Sequence, residues 1–499
     1  MKGSSKYLGL ALILLLAVCI LRFWLIPLPT SFWVDEMVTA FVIHYGVSHP
    51  SLAVAPQVTE TIYYSLPKAA EALFGFSEAI YRIPSLIAVA IALFLVARLA
   101  MRLIHPESGW FAVFACLSLA GFNYEAADAR PYGLGTAVFA AALWFLIRWL
   151  DSARWSDALL FAACAALLWR VHLIYWPFYV VFGVYAIWRL AASETTVTWA
   201  CAALIFALVG LALIPVALRA LAIDREAHAH VIIPLPRFRD LQKSYHFVLV
   251  AICGAGTWLI GRFFRWPLKT TAVRSGATMA MILGWWLWHP LALFVYSWVT
   301  GNSVFVPRYL SLELPGTALA ATLAAASFVP ERAWKPLAAV LGTGVLLAVG
   351  VWKGWHVRHD NSNWQQAARQ INALNLSPAT PVIYPSPFIE AKPPVWRPDY
   401  PLPGFLYCHL LVYPVAGKPY LFPFERSPEA DQYAAALSTG VLSSAPRFLI
   451  YGGDRNVVTW RKWFSTREEL ADWHSRRLGP FGDVEVVVFE NPTFTVARR

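Results

Sequence analysis

Charge is scarce in this chain. Only 14% of its 499 residues are charged, while 59% are hydrophobic. Soluble domains carry about 25% charged and about 45–50% apolar residues. A string of roughly three soluble domains of about 150 residues is therefore excluded for most of the length. Cysteine is scarce too. Of the six, Cys19, Cys116, Cys164, Cys201 and Cys253 lie in apolar runs and only Cys408 lies in a polar region. No disulfide framework and no Cys metal site is indicated. There is no zinc-finger spacing and no basic stripe with interleaved aromatics, so a net charge of +11 and a pI near 9.4 do not point to nucleic acid. No internal repeat of about 20–50 residues is visible. Aromatic residues are plentiful instead: 24 Trp, 31 Phe and 20 Tyr exclude uniform disorder. The remaining class is a polytopic membrane protein.

A membrane span needs about 20 mostly apolar residues. Eleven candidates stand out, at 7–27, 83–103, 109–122, 132–150, 155–170, 172–189, 197–218, 245–262, 275–299, 308–328 and 334–353. The stretch Met1–Lys6 followed by Tyr7–Cys19 has the form of a signal-peptide start. No small-residue cleavage site follows at Ile20–Trp24, so it reads as an uncleaved first span. Lys and Arg near span ends place the N-terminus in the cytoplasm: Lys2, Lys6, Arg98, Arg102, Arg148, Arg154, Arg189, Arg262, Arg265, Lys269, Arg274, Arg332 and Lys335 then share the inner side. The outer loop 219–244 is the exception, with Arg219, Arg225, Arg237, Arg239 and Lys243 against Asp224, Glu226 and Asp240. It reads either as a solvated loop or as a basic surface for anionic lipids or donor head groups. His228 and His230 within it do not complete a metal site.

After His356 the texture changes. Pro and charges rise, with helical patterns at 363–374, 428–437 and 459–477 and strand patterns at 381–384, 447–451 and 484–489. Tyr451-Gly452-Gly453-Asp454 after a strand reads as an ordinary turn. The expected organisation is a membrane portion, residues 1–355, whose outer loop 30–82 holds an acidic pair, and an extracytoplasmic α/β domain, residues 356–499.

Transporters and pumps need ionisable groups near mid-membrane. The span centres contain almost none; His289, beside Pro290, is the main exception and reads best as a core residue. Polar residues collect instead at the outer span ends: Asp35-Glu36, then Asn123-Tyr124-Glu125 with Asp128-Ala129-Arg130-Pro131-Tyr132, then Arg170-Val171-His172, then Asn302-Ser303 with Pro307-Arg308-Tyr309. On the expected topology all four face one side at one depth, which points to a single site at the membrane surface. Adjacent carboxylates can act as a base or hold a cation. Arginines clamp phosphate. Aromatic residues can line a groove for a sugar ring and a lipid tail.

Trp33-Val34-Asp35-Glu36 after a first span resembles the Asp-Glu signature of GT-C glycosyltransferases, the superfamily of protein O-mannosyltransferases and of the aminoarabinose transferases of lipid A. Further matches follow in order. Ile62-Tyr63-Tyr64-Ser65-Leu66-Pro67-Lys68 resembles a loop helix of that superfamily, with Thr61 and Ile62 where Pro is common. Phe74–Ser85, with Glu78, Arg82 and Pro84, is similar to the segment leading into the second span. Asp128-Ala129-Arg130-Pro131-Tyr132 and Val306-Pro307-Arg308-Tyr309-Leu310, with Pro315, resemble two later motifs. Asn363–Ala368 resembles the start of the soluble domain of bacterial members. The resemblance covers residues 1 to 330 well and the remainder loosely.

It implies an all-α polytopic membrane protein of GT-C fold with a small C-terminal α/β extracytoplasmic domain, set in the inner (plasma) membrane. It implies an inverting glycosyltransferase that takes a sugar from a polyprenyl-phosphate donor to a hydroxyl of a glycan, lipid or protein acceptor on the outer face. Asp35 would be the base, with Glu36 supporting it or holding a divalent cation such as Mg or Mn. Asp128 or Glu125 would be the second carboxylate, and Arg130 and Arg308 would meet the donor phosphate. Tyr63, Tyr64, Tyr132 and Tyr309 would shape the cavity, and His172 would stand beside it. The competing reading is a lipid or glycolipid transporter without transferase chemistry.

Overall fold

The structure is a computed structural model and describes residues 2–46, 62–227, 234–266, 275–351 and 358–493. Thr61, His228, His230, Lys269, Arg274 and the change of texture at His356 lie outside the described residues. The chain divides into two compact units. One comprises Met1–Leu28 and Glu60–Val357, and the other comprises Pro29–Thr59 and Arg358–Arg499. The acidic loop is thus split: its first part belongs with the C-terminal chain, not wholly with the membrane helices as expected.

The first unit is a multi-pass membrane bundle. Among the described residues, six helices are long and apolar enough to span: Tyr7–Leu25, Glu78–Leu103, Tyr132–Ser152, Leu173–Ala191, Trp199–Leu221 and Gly276–Thr300. A pair bent by 47°, Phe238–Ser244 and Phe247–Phe263, is a seventh candidate. The other four expected runs form shorter or interrupted helices among the described residues. Residues 109–122 break into Gly109–Leu117 and Ala120–Ala126. The break is held by Asn123, whose Nδ2 donates 2.7 Å to the Leu117 carbonyl. Residues 155–170 form a 17-residue helix. Residues 308–328 open as a 3-10 turn, Pro307–Glu313, before Leu314–Ala326. The last run forms Trp334–Val345 followed by a π-turn, Leu346–Val351. Prolines explain part of this. Pro290 has no N–H to donate back, and the helix answers with a π-bulge at Gly284–Trp288.

The bundle packs on aromatic faces. Phe139 lies 4.4 Å from Phe178 and 4.9 Å, edge-on, from Trp285. At one bundle end Asp151 bridges Arg102 at 2.5 Å and Arg189 at 2.7 Å. All six cysteines are free.

The second unit holds a five-stranded sheet. Its strands are β1 (Pro381–Pro385), β2 (Lys418–Phe422), β3 (Arg447–Gly453), β4 (His474–Phe481) and β5 (Val484–Glu490), in the order β2-β1-β3-β5-β4. β1 pairs in parallel with β2 and β3, while β5 pairs antiparallel with β3 and β4. The buried central strands are those visible in sequence. The two edges are not: β2 contains Pro419, and β4 is mostly exposed and reads His-Ser-Arg-Arg. The expected helix over 459–477 ends at Phe464, and its tail is β4. Pro381, at the start of β1, is tolerated because a strand's first residue need not donate to the ladder.

The same unit incorporates residues 30–45. The Phe32 amide donates to the Tyr413 hydroxyl at 2.8 Å. The amides of His359 and Gln365 donate to Thr30 Oγ1 and Ser31 Oγ, both at 3.2 Å. Phe41 meets Phe405 edge-on at 6.4 Å.

Candidate active site

Asp35 and Glu36 occupy the first turn of the helix Val34–Tyr45 in the second unit. Carboxylates here complement the positive end of the helix dipole. Glu36 is fully buried, and its Oε2 accepts from the Trp33 amide at 3.3 Å. Asp35 is half-buried and acts electrostatically on Cys408, whose helix Cys408–Val412 packs against this one. Glu36 therefore closes the helix start, and Asp35 is the more accessible carboxylate.

The other expected residues belong to the membrane unit, and there most of them converge. The turn 127–131 links the short helix Ala120–Ala126 to the span beginning at Tyr132. It closes tightly, with the Arg130 amide donating 2.8 Å to the Asp128 carbonyl. Asp128 is fully buried, and Glu125 and Arg130 are 3% and 9% exposed. Glu125 feels Asp128, Arg130, Arg308 and the hydroxyl of Ser311. Burial first, and Asp128 second, push its carboxyl well above the usual carboxylate range; Ser311 and the two arginines offset this in part.

The aromatic members surround this group. The His172 ring lies 5.6 Å from Tyr132, 5.3 Å from Tyr309 and 5.7 Å from Tyr175. Tyr132 and Tyr309 are 6.0 Å apart. The Arg308 guanidinium sits over the Tyr309 ring at 5.5 Å. Arg130 and Arg308 are both within electrostatic reach of His172. Arg130 Nη1 donates 3.4 Å to the Tyr64 hydroxyl. Tyr63 shares a 3.0 Å hydrogen bond with Ser85 Oγ, which donates 3.2 Å to the Arg130 carbonyl. Tyr63 thereby supports the arginine turn, and Tyr64 touches its guanidinium.

Two residues have structural roles. Arg82, fully buried, donates from Nη1 to the carbonyls of Pro27 and Leu28 at 3.1 and 2.8 Å, tying off the end of the first span. His289 stacks on Phe178 at 4.5 Å with Nε2 3.3 Å from the Ile174 carbonyl, as a core histidine does. Sequence reasoning missed Tyr175. The close approach that places it comes from Gly135 on the neighbouring span: a Cβ there would meet the Tyr175 ring at 2.3 Å. The available signal was a Gly in a span and a Tyr three residues after His172. It also missed Glu313, fully buried, whose Oε2 accepts from Thr317 at 2.7 Å.

Residues 64–217 match the family described as dolichyl-phosphate-mannose-protein mannosyltransferase. The fold matches the crystal structure of ArnT from Cupriavidus metallidurans in the apo state, with TM-score 0.56 and 12% identity, over 98% of each chain. It also matches ArnT from the same organism bound to undecaprenyl phosphate, with TM-score 0.52 and 14% identity, over 95% of this chain and 97% of that one. No curated protein matches the sequence. The chain has the GT-C fold, as the sequence motifs implied.

Proposed function

We propose that this protein is an integral-membrane inverting glycosyltransferase that uses a polyprenyl-phosphate-linked sugar. The observation that carries the reading is the convergence, in a membrane bundle of GT-C fold, of Arg130, Arg308, Glu125 and Asp128 with a ring of tyrosines. Two arginines suit a lipid phosphate, since planar guanidinium groups match its oxygens. The ArnT relative bound to undecaprenyl phosphate supports a ligand of that class.

In the reaction, the acceptor hydroxyl oxygen forms a bond to the anomeric carbon. The bond from that carbon to the phosphate oxygen breaks, and its electron pair leaves with the lipid phosphate. Asp35 takes the acceptor proton. Arg130 and Arg308 stabilise the departing phosphate, so rate comes from orientation and charge stabilisation. The acceptor is a hydroxyl of a glycan, lipid or protein. The reaction is assigned to the outer face of the cell's inner membrane, with the N-terminus cytoplasmic.

The test incubates purified wild type and Asp35→Asn with radiolabelled polyprenyl-phosphate sugars and a lipid extract of the host. Turnover of one donor by wild type, reduced at least about a hundredfold in Asp35→Asn, is the expected result for loss of a general base. Parallel reactions with EDTA decide whether Asp35 and Glu36 work with a divalent cation such as Mg or Mn. Equal turnover by both proteins removes Asp35 from the mechanism. Donor binding without turnover favours the transporter reading.

A further inference from the structure

Tyr175 is fully buried, yet its hydroxyl has no hydrogen-bond partner. Buried tyrosines ordinarily find one. Its neighbours along the chain do: Tyr179 donates to the Ala165 carbonyl at 2.5 Å, and the Tyr185 hydroxyl accepts from Arg189 at 2.9 Å. The Tyr175 hydroxyl lies instead within electrostatic reach of Tyr132, Glu125 and Tyr309. Glu125 repeats the pattern. Its carboxyl is 3% exposed, and Oε2 is likewise without a partner. Two unsatisfied polar groups on different elements of one bundle therefore belong to one cluster: the Tyr175 ring lies 5.7 Å from His172, which neighbours Tyr132 and Tyr309, and Glu125 is within electrostatic reach of the Tyr175 hydroxyl. Gly135 keeps the space that brings the Tyr175 ring there.

The chemistry of the pair differs from that of the arginines. A carboxyl and a phenol within electrostatic reach of each other offer both an acceptor and a donor, which is what a sugar hydroxyl requires. Aromatic rings alongside offer the apolar face that a sugar ring stacks on. We propose that Glu125 and Tyr175 form the sugar subsite, hydrogen-bonding hydroxyl groups of the transferred sugar, while Arg130 and Arg308 hold the phosphate. Tyr175 is then a specificity-determining residue. The inference rests on the glycosyltransferase reading above and adds the substrate contact that distinguishes a sugar-linked lipid from the bare lipid phosphate.

The experiment separates the two halves of the donor. Binding of undecaprenyl phosphate, and of undecaprenyl phosphate carrying hexoses or pentoses, is measured for full-length wild type, Tyr175→Phe and Arg308→Gln. Tyr175→Phe keeps the ring and removes one oxygen. It is expected to weaken the preferred sugar-linked donor about tenfold, the loss of roughly one hydrogen bond, and to leave undecaprenyl phosphate within about twofold. Arg308→Gln is expected to weaken both ligands. Thermal stability of Tyr175→Phe should equal or exceed that of wild type, because the hydroxyl has no partner to lose. Donors lacking single sugar hydroxyls give a second reading that needs no folded variant: wild type should lose about tenfold for one of them. Equal weakening of bare and sugar-linked lipid by Tyr175→Phe overturns the subsite. So does full retention of donor affinity, or indifference of wild type to every deoxygenated donor. Failure of wild type to bind undecaprenyl phosphate at all overturns the underlying reading, and the subsite with it.

Discussion

Replacing Gly135 by Ala would put a methyl carbon 2.3 Å from Cε2 and 2.8 Å from Cζ of Tyr175. Carbon atoms rest at about 3.5–4.0 Å, so the ring must retreat by more than about 1 Å. Tyr175 is fully buried, and its ring meets His172 at 5.7 Å and Phe178 at 6.4 Å. The retreat is therefore overpacking, which costs about 1–3 kcal/mol in a filled core. Ala gains about 0.8–1.0 kcal/mol over Gly in a helix interior, leaving a net loss of roughly 0–2 kcal/mol. The larger effect should fall on turnover, because the displaced hydroxyl belongs to the proposed subsite. Gly183 supplies the control. It lies in the helix Phe178–Ala191, and a Cβ there meets nothing within 4 Å. Gly183→Ala should leave stability equal or raised by up to about 1 kcal/mol, with turnover unchanged. Both variants are compared with wild type by unfolding in one detergent and by turnover of one donor. Tyr175→Leu should abolish the stability cost of Gly135→Ala. Equal stability and equal turnover for Gly135→Ala and Gly183→Ala would refute the close approach.

Glu125→Gln should change the pH profile of stability. Below about pH 4.3 the carboxyl is protonated in folded and unfolded chains alike; above it the unfolded carboxyl ionises first, because burial and Asp128 raise the folded value. Wild type then loses about 1.4 kcal/mol per pH unit until the raised folded value is reached, and Gln does not. The advantage of Glu125→Gln in melting temperature should therefore grow as pH rises above about 4.3, and parallel profiles would contradict the assigned burial. Tyr413→Phe removes the hydroxyl that accepts from the Phe32 amide. It should cost about 0.5–1.5 kcal/mol and speed hydrogen exchange at Phe32; unchanged exchange there would count against the bond.

The fold class was legible because it rests on long-range averages. Charge content and apolar run length decide membrane or water before any contact is known. Span lengths were less legible. Hydropathy cannot see that Asn123 caps Leu117, or that Pro307 opens a 3-10 turn, so it joins short helices into apparent spans. The sheet shows the same division. β3 and β5 are buried and apolar, but the edge strand β4 has one exposed polar face after another and carries no apolar alternation. Within the site, charged residues were visible because ions are rare in an apolar chain. Tyr175 was not, because nothing in a sequence with 20 tyrosines marks a buried one whose hydroxyl lacks a partner.

The position of Asp35 was read from chain order, since the acidic pair follows the first span. Chain order hides what holds it. Thr30, Ser31 and Phe32 are bonded to His359, Gln365 and Tyr413, and Phe41 packs on Phe405. The helix that carries the proposed base is therefore built on residues more than three hundred positions later. This changes what the C-terminal unit is for. A domain that only recognised acceptor would affect the Michaelis constant when perturbed. A domain that orients the base affects the chemical step, because a misplacement of about 1 Å can cost about a hundredfold in rate. Perturbation at Tyr413 should therefore lower kcat at saturating acceptor, and an effect confined to the acceptor's Michaelis constant would assign the unit a recognition role instead.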